Sequence, residues 1–164
     1  MSVPVGLRKK SATEFEKIAW ELKQHIFFYC TGKRFGRGNA ANRKTNGEKI
    51  YQEDLIHIRN ITFSIFTNVS RANHMNVNEK YEYLERRKLF HFVLADLDSL
   101  DMCLQDLIDK FVTFDSETDK VKKAIPNAYF YERCAELMSK EEELIKGILA
   151  SDSARFKAAE KGAK

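Results

Sequence analysis

The chain has 164 residues, 43% hydrophobic and 12% aromatic, which is enough for one folded domain with a sizeable core and too apolar for a disordered segment. Two prolines and seven glycines, set among many Leu, Lys and Glu, favour an all-α fold. The net charge is +4, yet residues 1–50 carry eleven Lys and Arg against four acids while the remainder is net acidic, which points to one surface for a polyanion and another for a different partner.

Cys30, Cys103 and Cys134 are far apart, with no CxxC and no Cys/His ligand spacing. We expect no metal site, no other cofactor and no disulfide framework, as suits a reducing cytoplasm. The opening MSVPVGLRKK has no apolar signal region, and no apolar run approaches the length of a bilayer span. The expected protein is cytoplasmic and does not enter the membrane.

Residues 1–10 read as a flexible basic arm with Arg8, Lys9 and Lys10. Ser11-Ala12-Thr13-Glu14 fits a capping box, and a first helix is expected from about Ala12 to Tyr29. Its stripe is Phe15, Ile18, Leu22, His25 and Tyr29. A basic, glycine-rich segment follows at residues 31–49. It holds Lys33, Arg34, Arg37, Arg43, Lys44 and Lys49 against the single acid Glu48.

A second helix is expected from about Tyr51 to Asn73, striped by Tyr51, Leu55, Ile58, Thr62, Ile65, Val69 and Ala72. This alternating spacing of three and four is the pattern of bundle packing. NHMNVN, at Asn73 to Asn78, reads as a turn, and Asn76 with Glu79 forms a second possible capping box. A long third helix is expected from Asn78 through Phe90, Val93, Leu97, Leu100, Leu104, Leu107 and Phe111. Pro126 breaks the chain. A fourth helix is expected from about Ala128 to Leu149, with Phe130, Cys134, Leu137, Leu144 and Ile148 on one face. Residues 151–164 read as a frayed tail. The predicted architecture is an antiparallel up-down four-helix bundle over residues 11–150, expected to oligomerise.

Three of these helices carry a second apolar line. Trp20 and Phe27 lie opposite the main stripe of the first helix, and Ile56 and Phe63 do the same on the second. Tyr81, Leu84, Phe92, Ala95 and Met102 form a looser line on the third. Such lines imply either a core thick enough to cover both sides or a face for an oligomer or protein partner.

The basic segment is no P-loop, lacking GxxxxGK[ST] and a preceding strand. Its cations suit phosphates, and Phe35 among them suits stacking on an unpaired base. The candidate nucleic-acid residues are therefore Arg8, Lys9, Lys10, Lys33, Arg34, Phe35, Arg37, Arg43 and Lys44; the plain alternative is a solvated loop. Arg86 and His91 form the R-x4-H spacing of HEPN-type ribonucleases, but five residues on a straight helix place them about 140° apart. Arg86 also extrapolates onto the apolar stripe. His25 reads as a satisfied core histidine, and His57 and His74 lack evident partners. Asp96, Asp98, Asp101, Asp106 and Asp109 read as a solvated acidic face, with Asp101 near the stripe edge and able to meet an Arg. No catalytic constellation emerges.

Ile58-Arg59, Ser64-Ile65-Phe66-Thr67-Asn68-Val69 and Ala72-Asn73, followed by Tyr83-Leu84 and Ala95-Asp96-Leu97-Asp98-Ser99-Leu100, carry a resemblance. Over about residues 50–111 the chain resembles the four-helix-bundle proteins encoded in ribosomal-RNA intervening sequences. It also resembles their relatives, the Avd accessory proteins of diversity-generating retroelements. It departs from the pattern at Phe66, where proline is usual, and at Arg71, where an acid is common. The resemblance implies a non-catalytic accessory protein, a homopentamer of four-helix protomers that binds RNA and a reverse transcriptase. The other readings open at this point are an HEPN-like ribonuclease and a protein adaptor that binds no nucleic acid.

Overall fold

The computed structural model describes residues 5–30, 46–115 and 128–162, with side chains described in 14–27, 53–109 and 129–161. Among the described residues there are four α-helices and no strand: α1 (Val5–Cys30), α2 (Asn46–Asn73), α3 (Lys80–Asp115) and α4 (Ala128–Gly162). α1 packs against α2 and α4, and α3 packs against the same two helices.

The predicted stripes form the interior where side chains are described; those of Tyr29, Tyr51 and Phe111 lie outside the described set. Phe15, Ile18 and Leu22 of α1 are buried with Ile58, Ile65, Val69 and Ala72 of α2. Phe90, Val93, Leu97, Leu100, Leu104 and Leu107 of α3 join them, as do Phe130, Cys134 and Leu137 of α4. Phe15 meets Phe90 edge to face, with centroids 5.8 Å apart. Burying each such side chain contributes roughly 1.5–3 kcal/mol, so these stripes dominate stability. Thr62 keeps its place on the apolar stripe of α2 by donating its hydroxyl to the Ile58 carbonyl at 2.7 Å. His25 is a satisfied core-edge histidine, as expected: its Nε2 donates to the Phe130 carbonyl at 3.3 Å, and its ring stacks on Phe130.

Polar contacts record how the helices lie against one another. On α1 and α2, Glu16 accepts from Ser70 and Asn73, and Arg59 lies over Phe27 at the other end. On α2 and α3, Ser64 donates to Asp96 at 2.7 Å. On α3 and α4, Tyr83 stacks on Phe156 with centroids 4.3 Å apart.

The helix boundaries correct several expectations. α1 begins at Val5, so Arg8, Lys9 and Lys10 lie on a helix where a flexible arm was expected, and Ser11 to Glu14 lies inside it rather than capping it. Pro4 stands just before Val5, a position that suits a helix start. α2 begins at Asn46 and takes in the last four residues of the expected loop.

Ahead of α3, the Glu82 carboxylate accepts from the Asn76 backbone amide, and the Asn76 side chain accepts from the Asn78 amide at 3.1 Å. The expected Asn76–Glu79 capping box therefore does not form: Asn76 turns the chain before the helix, and the Glu79 amide donates to its carbonyl at 3.3 Å. The largest difference is at the C-terminal end. α4 continues to Gly162 through the residues expected to fray. Ala150, Ala154, Ala158 and Ala159 favour helix there, and Asp152 and Phe156 anchor it to α3.

Candidate functional site

Two features stand apart from an ordinary helical core: a polar assembly inside it, and a set of large apolar side chains outside it.

The interior assembly centres on Arg86, which sits at a stripe position of α3 and is only 8% exposed. Its Nε donates to Asp152 Oδ2 at 2.6 Å, its Nη1 donates to the Ala72 carbonyl at the end of α2, and its guanidinium lies 5.0 Å from the Phe90 ring centroid. Asp152 is likewise buried. A charge in that position needs its partner, because an unpaired buried ion is costly. The arrangement joins α3 and α4 to the C-terminal end of α2. His91 is exposed, so the structure does not bring the R-x4-H pair onto one face. A third buried polar group, Glu141 of α4, has both carboxylate oxygens without a hydrogen-bond partner. Burial alone raises its pKa from 4.5 to about 8, so the acid is largely protonated at neutral pH.

The exterior set is the one the sequence pointed to. Trp20, Phe27, Ile56, Phe63, Phe92 and Met102 are all exposed, Phe63 by 59% and Trp20 by 48%. None of them belongs to the buried core cluster of the described residues. On α1 and α2 they converge with cations. Lys23 Nζ lies 4.3 Å from the Phe66 ring centroid and 5.5 Å from that of Phe63, while Arg59 Cζ lies 4.7 Å from that of Phe27. On α3, Lys88 lies over Phe92 at 5.8 Å. The sequence reading found these aromatics but missed Lys23 and Arg59. Each contact runs between α1 and α2, so the spacing along either helix alone did not show it.

The remaining expectations divide. Arg8, Lys9 and Lys10 lie on α1, their side chains outside the described set. Lys33, Arg34, Phe35, Arg37, Arg43 and Lys44 lie outside the described residues. Asp101 accepts from Gln105 of its own helix at 2.6 Å, rather than from an Arg, because it is exposed. Asp96 turns toward α2 and holds Ser64. His74 Nδ1 donates to the Ser70 carbonyl at 2.7 Å. Among the described residues no group of three His, Cys, Asp or Glu is placed to hold a metal ion. No described helix is long and apolar enough to cross a membrane.

The fold and these surfaces define a four-helix all-α protein with an exposed aromatic and cationic face. No family model, curated protein or solved structure matches the chain.

Proposed function

We propose that the protein is a non-catalytic accessory protein of the Avd type: a cytoplasmic, antiparallel up-down four-helix bundle that oligomerises and binds RNA together with a reverse transcriptase. The observation that carries the reading is the set of large exposed side chains, Trp20, Phe27, Ile56, Phe63, Phe92 and Met102, none of which belongs to the buried core of the described residues. So many exposed aromatic and aliphatic groups are the mark of a surface that meets other molecules.

The up-down arrangement is supported by contact order. Glu16 meets Ser70 and Asn73, Lys23 meets Phe63 and Phe66, and Phe27 meets Arg59, so α2 numbers fall as α1 numbers rise. Between α3 and α4, Tyr83 meets Phe156 and Arg86 meets Asp152, which is again a reversed order. A pentamer is the assembly implied by the resemblance.

RNA contact is assigned to Lys33, Arg34, Phe35, Arg37, Arg43 and Lys44, with Arg8, Lys9 and Lys10 on the same side of the sequence. Cations of this number displace condensed counterions from a polyanion, so binding is expected to fall steeply with salt. The engagement of Arg86 by Asp152 and Ala72 favours an accessory role over a ribonuclease built on Arg86 and His91.

Light scattering on the purified chain, with and without a structured RNA, at low and high salt, tests the reading. The expected result is an oligomer that takes up RNA at low salt and releases it at high salt. A monomer indifferent to RNA overturns it and leaves a protein adaptor.

A further inference from the structure

We propose that the outer face of α1 and α2, formed by Trp20, Lys23, Phe27, Arg59, Phe63 and Phe66, is a stacking platform for the unpaired nucleotides of single-stranded RNA. This rests on the RNA-binding reading and assigns to it a place and a ligand form.

The first argument is chemical. Rings that are 43–59% exposed at Phe27, Trp20 and Phe63 present flat apolar surface to solvent. Lys23 and Arg59 sit over those rings and make no ion pair among the described residues. An unpaired base stacks on a ring, and a neighbouring cation then meets its phosphate.

The second argument is charge. Residues 55–73 of α2 contain Arg59 and Arg71 and no Asp or Glu. On α1 between residues 17 and 27 the one carboxylate is Glu21, and it is drawn to Lys17 at 3.8 Å and to Arg133 of α4 at 3.4 Å, on the α4 side of the helix. The one acid between the two helices, Glu16, lies toward the other end and is held by Ser70 and Asn73, so the stretch around Lys23, Phe27, Arg59 and Phe63 is cationic. A second copy packed on this face across a two-fold axis sets Lys23 and Arg59 against themselves, whereas a nucleic acid brings the opposite charge.

The third argument is spacing. Trp20 and Phe27 are seven residues apart, about 10 Å along the helix axis. Bases in a duplex strand are only about 3.4 Å apart. Rings so widely set receive bases splayed from a single strand, not a stacked helix. In sequence, the residues between these two helices are the most basic stretch of the chain.

Trp20 is the chain's single tryptophan, which makes the face observable. The full chain is titrated with an unstructured RNA of about 12 nucleotides, within the usual site size for such surfaces, and with a blunt duplex of equal length. The expected result is saturable quenching of Trp20 emission by the single strand and little by the duplex. Phe63→Ala and Lys23→Gln each weaken single-strand binding by about tenfold with no fall in melting temperature, since both residues lie outside the core. If a gel shift shows RNA binding while Trp20 emission and the Phe63→Ala affinity stay unchanged, the platform is wrong and RNA binds elsewhere on the chain. If no readout shows RNA binding, both this inference and the reading beneath it fall. Emission that changes with protein concentration but not with RNA assigns the face to contacts between copies and overturns the platform.

Discussion

Arg86 of α3 and Asp152 of α4 meet inside the protein with Nε and Oδ2 2.6 Å apart, although they are 66 positions apart in sequence. Removing one partner of such a pair leaves the other as an uncompensated buried charge. Asp152→Ala is expected to lower stability by about 3–5 kcal/mol in urea unfolding. The double replacement Arg86→Met with Asp152→Leu is expected to recover most of that loss, because no buried charge remains. A single variant as stable as the parent refutes the structural role of the pair.

The same pair makes the end of α4 necessary. Truncation after Ala150 removes Asp152 together with Phe156, whose ring stacks on Tyr83 at an interplanar angle of 2°. The truncated chain should melt lower than Asp152→Ala, since it loses the aromatic contact as well. Equal melting temperatures show that Phe156 contributes nothing.

This end of the helix also shows how far the sequence could be read. The stripes of α1, α2 and α3 were legible because apolar residues fill most of their positions, with single polar interruptions at His25, Thr62 and Arg86. On α4 the register continues from Leu137 through Glu141, Ile145, Ile148 and Asp152, all buried or half-buried. After Ala150 the sequence turns to Ala, Lys, Ser and Glu, and the next register position is an acid, Asp152, so the helix was expected to end early. Arg86 at a stripe position of α3 was the clue to a buried acid elsewhere, but periodicity cannot say which carboxylate answers it. The exposed line of Trp20, Phe27, Ile56 and Phe63 was legible for the same reason as the core, being a second register on the same helices. The cations over those rings belong to pairwise geometry that one helix at a time does not reveal.

Glu141 should give the protein an unusual pH profile. Its carboxyl has an ordinary value of 4.5 when unfolded and about 8 when folded, because burial disfavours the charged form. Between those values the folded chain holds a proton that the unfolded chain has released. Stability therefore falls as pH rises through that window, by about 1.4 kcal/mol per unit from this group. Glu141→Met removes both the titration and the unsatisfied oxygens. It is expected to flatten the profile and raise the melting temperature most at pH 8. A Glu141→Met variant whose profile parallels the parent's shows that other groups set the pH dependence.

Glu16 fastens α1 to the end of α2 with both carboxylate oxygens, one accepting from Ser70 at 2.9 Å and the other from Asn73 at 2.8 Å. The site is half-buried, so part of this is screened by water. Glu16→Ala is expected to cost about 1–2 kcal/mol, and Glu16→Gln less, because one amide oxygen still accepts. Amide hydrogen exchange at the end of α2 should rise first, as that is where the fastening is lost.

Phe92 and Met102 carry the exposed line of α3, away from the cations of α1 and α2. If the protein self-associates as proposed, and if RNA takes the α1/α2 face, the α3 line is the apolar surface left for contacts between copies. Phe92→Glu with Met102→Glu places two charges on that line, beside Asp98 and Asp101, where like copies would have to desolvate them. The double variant is expected to sediment as a single chain of 19.1 kDa with an unchanged melting temperature, because neither residue belongs to the core. An oligomer that survives both changes must be held by another surface. If the Trp20 response to RNA is lost together with the oligomer, the stacking face acts only when copies stand side by side, and its affinity then comes from several faces engaging one strand at once.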